Sequence, residues 1–282
     1  MAADFLLVHG AWHGSAHWAK VSAELAALGH RPLALDLPGH GLSARFPTSY
    51  FAPGQEGFAA EPSPVKDVTL DVAAGAVVAA LRALRSRPSP GPVALVAHSI
   101  GGAVATRAAE LAPDLVDHIV YVAAFVPTRA RAAAAYLALP ENGTALGSGL
   151  YLGDPAVTGA VRINPRSCDP AYLAELRAAY FTGAAEEVFL ACAAALTPDQ
   201  PLGFLTGEPG ATAARWGAIP RTYVRCALDR ALPPALQDVM IRDADALAPA
   251  TPFRTLTLDT GHAPFATMPA ELARALSDAV PE

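Results

Sequence analysis

Ala97-His98-Ser99-Ile100-Gly101 is the stretch on which the reading of this chain turns. It follows the apolar run Val93-Ala94-Leu95-Val96 and precedes Gly102-Ala103-Val104-Ala105-Thr106-Arg107, which reads as a helix. A serine on a sharp strand-to-helix turn, with small residues two before and two after it, has the pattern of a nucleophile elbow. Small residues are needed because the strand and helix backbones nearly collide there, so a bulky Cβ substituent would clash. The alternative is a tight turn with no chemistry. Ala97 stands where such elbows usually carry their first glycine, the mildest departure available.

The 282 residues suffice for one large domain or a domain with an insert. A hydrophobic content of 52% with 16% charged residues excludes a disordered or solenoidal tail protein. The uncharged, apolar stretch Val72 to Leu81 is too short to cross a bilayer. A formal net charge of −6 and scattered Lys and Arg residues argue against nucleic acid as a partner. Cys168, Cys192 and Cys226 are odd in number and widely spaced, which fits neither a disulfide framework nor a metal site. No cofactor or metal is expected. Met1-Ala2-Ala3-Asp4 runs directly into a strand and leaves no room for a signal peptide, so a cytoplasmic location without a membrane partner is expected.

Apolar runs predict strands at Phe5–Val8, Arg31–Asp36, Val93–Val96, Asp117–Val126, Arg221–Cys226 and Phe253–Leu258. Helical spacing predicts helices at Ser15–Leu28, Thr69–Leu84, Ala235–Leu247 and Ala270–Val280. Uniformly apolar strands alternating with helices are the pattern of a mostly parallel sheet covered on both faces. From Thr128 to about Arg215 the alternation breaks. There an alanine-rich helix is expected over Arg129–Leu139, another opening at Asp169-Pro170, and a third over Ala185–Leu196. Such a block reads as a helical cap of residues 128–215, inserted after the strand ending near Val126 into a core of 1–127 and 216–282. Ligands of open α/β sheets bind at the carboxyl ends of the strands, so the cap roofs the end where Ser99 sits. The aperiodic stretch Ala44–Lys66 is long enough to be functional or mobile.

A serine hydroxyl needs a base, and the base needs an orienting acid. His262, just past the last strand in Thr260-Gly261-His262-Ala263-Pro264, is the candidate base among eight histidines. Asp229, past the strand that follows the cap, is the candidate acid; the segment Phe125-Val126-Pro127-Thr128-Arg129 has no carboxylate to compete with it. Donors for a tetrahedral oxyanion are expected from the N–H of Ile100 and from the loop His9-Gly10-Ala11-Trp12 through Ala11.

With these residues in hand, the chain resembles the α/β-hydrolase superfamily throughout. Within it the likeness is to the plant methylesterase and hydroxynitrile lyase group and its bacterial esterase relatives. It rests on Phe5–Gly14, Leu35-Asp36-Leu37-Pro38-Gly39-His40-Gly41, Ala97–Gly102, Trp216–Pro234 and Gly261-His262. The resemblance implies an α/β-hydrolase fold, a Ser99–Asp229–His262 triad, oxyanion amides at Ala11 and Ile100, and a structural role for Asp36. The plant lyases of this group carry threonine directly after the first His and lysine directly after the catalytic His. Here those positions are Gly10 and Ala263, which favours hydrolysis of a carboxylic ester over cyanohydrin cleavage.

Trp12, His13, His98, Phe125, Tyr136, Tyr151 and Phe265 are the candidates for a pocket suited to a hydrophobic or aromatic small-molecule ester. Two other readings stand beside the serine esterase. One is a biosynthetic acyltransferase, cyclase or lyase on the same triad, the other a non-catalytic ligand receptor on the scaffold. Self-association into a homodimer is left open.

Overall fold

The computed structural model describes residues 2–128 and 132–280. In chain order its strands are β1 (Asp4–Val8), β2 (Arg31–Leu35), β3 (Val93–His98), β4 (His118–Val122), β5 (Ala160–Arg162), β6 (Asp199–Pro201), β7 (Arg221–Cys226) and β8 (Arg254–Leu258). Six of them form one parallel sheet in the order β2-β1-β3-β4-β7-β8, while β5 and β6 pair antiparallel on their own. The central strands are apolar on both sides because both sides are covered. Leu6, Val8, Leu95, Ile119, Tyr121 and Tyr223 face one buried cluster, and Phe5, Leu7, Val96, Val120, Val122 and Val224 face the other.

Helices α1 (Ala19–Ala27), α2 (Leu70–Arg85) and α3 (Gly101–Leu111) belong to the first half of the sheet. The stretch between β4 and β7 carries α4 (Ala133–Leu137), α5 (Pro155–Thr158), α6 (Pro170–Tyr180), α7 (Glu186–Ala194) and α8 (Gly203–Thr206). Helices α9 (Pro234–Leu247), α10 (Pro264–Thr267) and α11 (Pro269–Ala279) complete the chain. The layer of α2, α3 and α9 packs on one face of the sheet, and α1 with α11 on the other. Helix starts follow local chemistry: the Thr69 hydroxyl accepts from Val72 N–H at 3.2 Å, and the Asp169 carboxylate from Ala171 N–H at 2.9 Å ahead of Pro170.

Several elements depart from the sequence reading. The strand expected over Asp117–Val126 ends at Val122, because Ala123 takes a left-handed φ of 42° and the chain turns to let Phe125 N–H reach the Ser99 carbonyl at 2.9 Å. The helix expected over Ser15–Leu28 begins as a 3₁₀ turn, Ser15–Trp18, before α1. The helix expected over Arg129–Leu139 is the short α4; residues 129–131 lie outside the described residues. The stretch between β4 and β7 is also not purely helical, since it holds β5 and β6. Those three-residue strands are fastened by an Arg162–Asp199 ion pair buried on both sides, Nε to Oδ1 at 2.6 Å and Nη2 to Oδ2 at 2.7 Å. Asp-Gln-Pro has little strand propensity, so tertiary pairing and not local sequence makes β6.

Ala44–Lys66 is tied down to this small sheet. Arg162 also donates to the carbonyls of Phe58 and Glu61 and stacks on the Phe58 ring, and Arg166 donates to the Tyr50 carbonyl at 2.8 Å. Two histidines fasten the loops that leave β1 and β2. His9 Nδ1–H donates to Gly10 O at 2.8 Å while its Nε2 accepts from Leu37 N–H at 3.0 Å, which fixes one neutral tautomer. His40, whose ring lies 4.9 Å from that of His9, donates from Nε2 to Gln200 Oε1 at 3.1 Å. Burial, aided by His40, pushes the His9 pKa down to about 3, and burial pushes His40 down to about 4.

Two measurements follow from this framework. Ala97 is fully buried in β3, its methyl inside the cluster formed with Leu6, Val8, Leu95 and Tyr121. Ala97→Gly is expected to lower the unfolding free energy by about 1–2 kcal/mol, combining one lost buried methyl with the added backbone freedom of glycine. Urea denaturation checks this, and an equal or higher stability refutes it. The second concerns pH. His9 and His40 have folded pKa values below the unfolded value of about 6.5, so the unfolded chain binds their protons first as pH falls. Stability is therefore level above about pH 7 and declines below 6.5, each group contributing up to about 1.4 kcal/mol per pH unit until its folded pKa is reached. The lowered carboxyl of Asp36 enters only below about pH 4. A flat unfolding free energy between pH 7 and 4.5 would contradict the buried, neutral state of these rings.

Candidate active site

The strand order reverses between β1 and β3, and the crevice at such a point lies beyond the carboxyl ends of the strands. Val8 is in register with Ala97, so the chain leaving β1 through His9-Gly10 lies directly against the chain leaving β3 through His98-Ser99. Ser99 has a left-handed φ of 52°, the sharp turn the sequence predicts. Crowding at this turn is severe. A Cβ on Gly10 would lie 2.7 Å from both His98 Nδ1 and Ser99 Cβ; on Gly101, 2.4 Å from the His9 carbonyl; on Gly102, 2.1 Å from the Phe125 carbonyl. These glycines are required by space, and Gly10 leaves no room for the threonine of the plant lyases.

Three side chains from three strand ends converge. His262 Nε2 lies 3.0 Å from Ser99 Oγ, and His262 Nδ1 lies 2.7 Å from Asp229 Oδ2. Asp229 follows β7 by three residues and His262 follows β8 by four, so the sheet itself brings them beside Ser99. The carboxylate is held firmly: Oδ1 accepts from Ala231 and Leu232 N–H, both at 2.8 Å, and Oδ2 from Gln237 Nε2 at 3.4 Å. Gln237, fully buried on α9, also donates to Leu232 O and accepts from Cys226 N–H, locking the loop that carries Asp229. A lone glutamine in a helix carries no sequence signal for this role. Such an array can deprotonate the serine hydroxyl and return the proton to a leaving group.

A cavity with about 590 Å³ of atom-free space, its open mouth included, lies over Ser99. Its wall includes Ala11, Trp12, Ile100, Phe125, Tyr151 and His262. The N–H groups of Ala11 and Ile100 bond no protein acceptor among the described residues. Trp12, with a left-handed φ of 61°, is pinned by the chain above it: its carbonyl accepts from Thr197 N–H at 2.8 Å, and its indole N–H donates to Val161 O at 2.9 Å. That hold fixes the loop presenting Ala11.

Of the seven pocket candidates, Trp12, Phe125 and Tyr151 reach the cavity, and His13, His98, Tyr136 and Phe265 do not line it. His98 points to the other side of the elbow, where its Nε2–H donates to the His262 carbonyl at 2.8 Å. His13 and Phe265 pack beside it, and His13 Nδ1–H donates to Ala11 O at 2.6 Å. Burial lowers the pKa of His13 and His98 well below the usual range, so both rings are neutral at pH 7. Tyr136 faces α9 and donates to Asp243 Oδ2 at 2.9 Å; its neighbour Leu137 is the one that lines the cavity. Val161, Tyr180, Gln200 and Leu205 also line it, all from the stretch between β4 and β7, where the sequence offers no periodicity to single them out. No residue of Ala44–Lys66 lines it.

Among the described residues, no helix is long and apolar enough to cross a membrane and no metal-ligating cluster is present. Known proteins resemble this chain. The profile of the alpha/beta hydrolase family matches residues 5–275. Methylesterase 18 of Arabidopsis thaliana is 30% identical over 98% of this chain and 96% of its own length, and Methylesterase 9 is 28% identical over 85% of each. Among solved structures, a pyrethroid hydrolase from Sphingobium faniae JZ-2 superposes with a TM-score of 0.76 at 25% identity, covering 99% of this chain and 97% of that one. Polyneuridine aldehyde esterase shares the fold, with a TM-score of 0.72 at 20% identity over 99% of each chain. The chain belongs to the alpha/beta hydrolase family and stands with its esterases.

Proposed function

We infer that the protein is a metal-free serine carboxylesterase for a small, largely apolar ester. The observation that carries this reading is the Ser99–His262–Asp229 hydrogen-bond chain, 3.0 and 2.7 Å, opening onto an apolar cavity. Ser99 Oγ attacks the ester carbonyl carbon as His262 Nε2 takes its proton, and Asp229 stabilises the imidazolium. The carbonyl oxygen becomes an oxyanion facing the N–H groups of Ala11 and Ile100. Collapse breaks the bond to the alcohol oxygen, which leaves with the proton from His262, and the acyl group stays on Ser99. Water then gives a proton to His262 and attacks the acyl carbon, releasing the acid and restoring Ser99. Residues 128–215 act as the cap over a core of 1–127 and 216–282. The likeness to plant methylesterases supports esters of a small alcohol such as methanol.

Ala263 and Gly10 support hydrolysis over cyanohydrin cleavage. Ala263 is buried and supplies no cation for a leaving cyanide, and Gly10 has no room for a side chain. His98 is a positioning residue, acting on His262 through its backbone carbonyl.

A screen of methyl and p-nitrophenyl esters, read as acid release, is expected to give turnover that Ser99→Ala lowers at least about 10³-fold. A fluorophosphonate is expected to label the wild type stoichiometrically and the variant not at all. Full activity in Ser99→Ala sinks the reading, and acyl transfer without acid release would favour the transferase. Asp229→Asn is expected to lower kcat about 10³–10⁴-fold with KM little changed, because the imidazole loses the acceptor that fixes its tautomer. A loss under tenfold would show that Asp229 is not the orienting acid.

A further inference from the structure

The cavity over Ser99 is apolar in most of its wall, and its few polar side chains are unevenly occupied. Trp12 spends its indole N–H on Val161 O, while Ser99 and His262 bond one another. Gln200 on β6 is different. Its side-chain Oε1 lies 3.1 Å from His40 Nε2, and its Nε2 faces the Pro201 carbonyl, where a flipped amide would set oxygen against oxygen. Its Nε2 carries two protons and, among the described residues, meets only the carbonyl of its own neighbour Pro201, at 3.3 Å. One amide proton is left over on a residue that is 1% exposed and forms part of the cavity wall. Leaving a buried donor unmatched is costly, and a substrate acceptor would offset that cost.

Tyr151 and the buried Tyr180, also in the cavity wall, hold a second donor. Their hydroxyl oxygens lie 3.3 Å apart, so one hydroxyl proton serves the pair and the other is left to donate. Burial raises the pKa of both phenols, so both keep their protons through neutral pH. Among the described residues no Lys, Arg, Asp or Glu lines the cavity, so these give a buried substrate carboxylate or ammonium no counter-charge. The described wall thus offers spare donors and no ion.

We propose that the substrate is a neutral ester carrying a second hydrogen-bond-accepting oxygen, a ketone, ether or lactone oxygen, and that Gln200 is the specificity-determining residue that recognises it through Nε2–H. The assignment rests on the esterase reading above and deepens it. Pure hydrocarbon esters of equal length leave the Gln200 donor unmatched and are the poorer fit.

The test compares pentyl pentanoate with its oxa-analogues, in which one methylene of either chain is replaced by an ether oxygen, with acid release followed by pH-stat. Wild type is set against Gln200→Met, which keeps the length of the side chain and deletes the amide. Taking the variant-to-wild-type ratio on each substrate cancels the effect of the ether oxygen on intrinsic ester reactivity. For at least one position, kcat/KM is expected to fall about tenfold further for the oxa-ester than for the parent. Equal effects of the substitution on the parent and on every oxa-ester, within about twofold, would overturn the proposal. Fluorophosphonate titration and thermal melting confirm an intact site. If loss of the acceptor for His40 destabilises the fold, Gln200→Glu keeps that acceptor and is expected to lose the same discrimination. Failure of the esterase reading is separately visible, since Ser99→Ala would then retain turnover.

Discussion

Everything at the site depends on how closely two backbones approach. The ends of β1 and β3 run side by side, and the start of α3 turns back between them and the chain leaving β4. Gly10, Gly101 and Gly102 each occupy a place where a single methyl would meet backbone or side-chain atoms at 2.7 Å or less. Ser99 is the one residue of this crush that must carry a side chain, and it does so by adopting a left-handed backbone that lifts Oγ into the cavity. Strain of this kind persists only where the surroundings over-determine it. Here the Ser99 carbonyl accepts from both Gly102 and Phe125, and its N–H donates to Val122 O. Ala97 lies just before the crush, where its methyl turns into the apolar core and meets none of it.

The remaining parts of the site are held by hydrogen bonds that run outward. Asp229 is gripped by two backbone amides and Gln237, His262 is held by its carbonyl through His98, and the β1 loop is braced by His9 and His13. Four buried imidazoles, His9, His13, His40 and His98, stay neutral around one that must accept a proton. Charging any of them would repel the imidazolium formed at His262, so their burial keeps the local field clear for one proton carrier.

How much of this was legible in the chain varies with what sets each position. The parallel sheet could be read because its central strands are apolar on both faces; Ser99 and Asp229 follow two of these, and His262 follows the half-exposed edge strand β8. Ala11 and Ile100 were placed by the same logic, and both line the cavity. The pocket was half legible. Where a side chain points after a strand end is set by the turn it sits on, so His98 and Phe265 fall behind the elbow although their sequence positions adjoin Ser99 and His262. β5 and β6 carry no strand signal of their own, since Asp-Gln-Pro has little strand propensity and is paired through long-range contacts, the Arg162–Asp199 ion pair among them. The cavity residues they bring, Val161 and Gln200, were invisible for the same reason.

The two hydrogen bonds between Trp12 and the chain above it couple quantities that are usually treated apart. Val161 lies in β5 and Thr197 two residues before β6, and Arg162 binds that small sheet to the Phe58–Glu61 stretch, so these parts form one braced unit. The contacts that join it to Trp12 also hold that residue in its left-handed turn and, with it, the neighbouring unpaired amide of Ala11. The enclosure of the cavity and the placing of that donor thus rest on the same two hydrogen bonds.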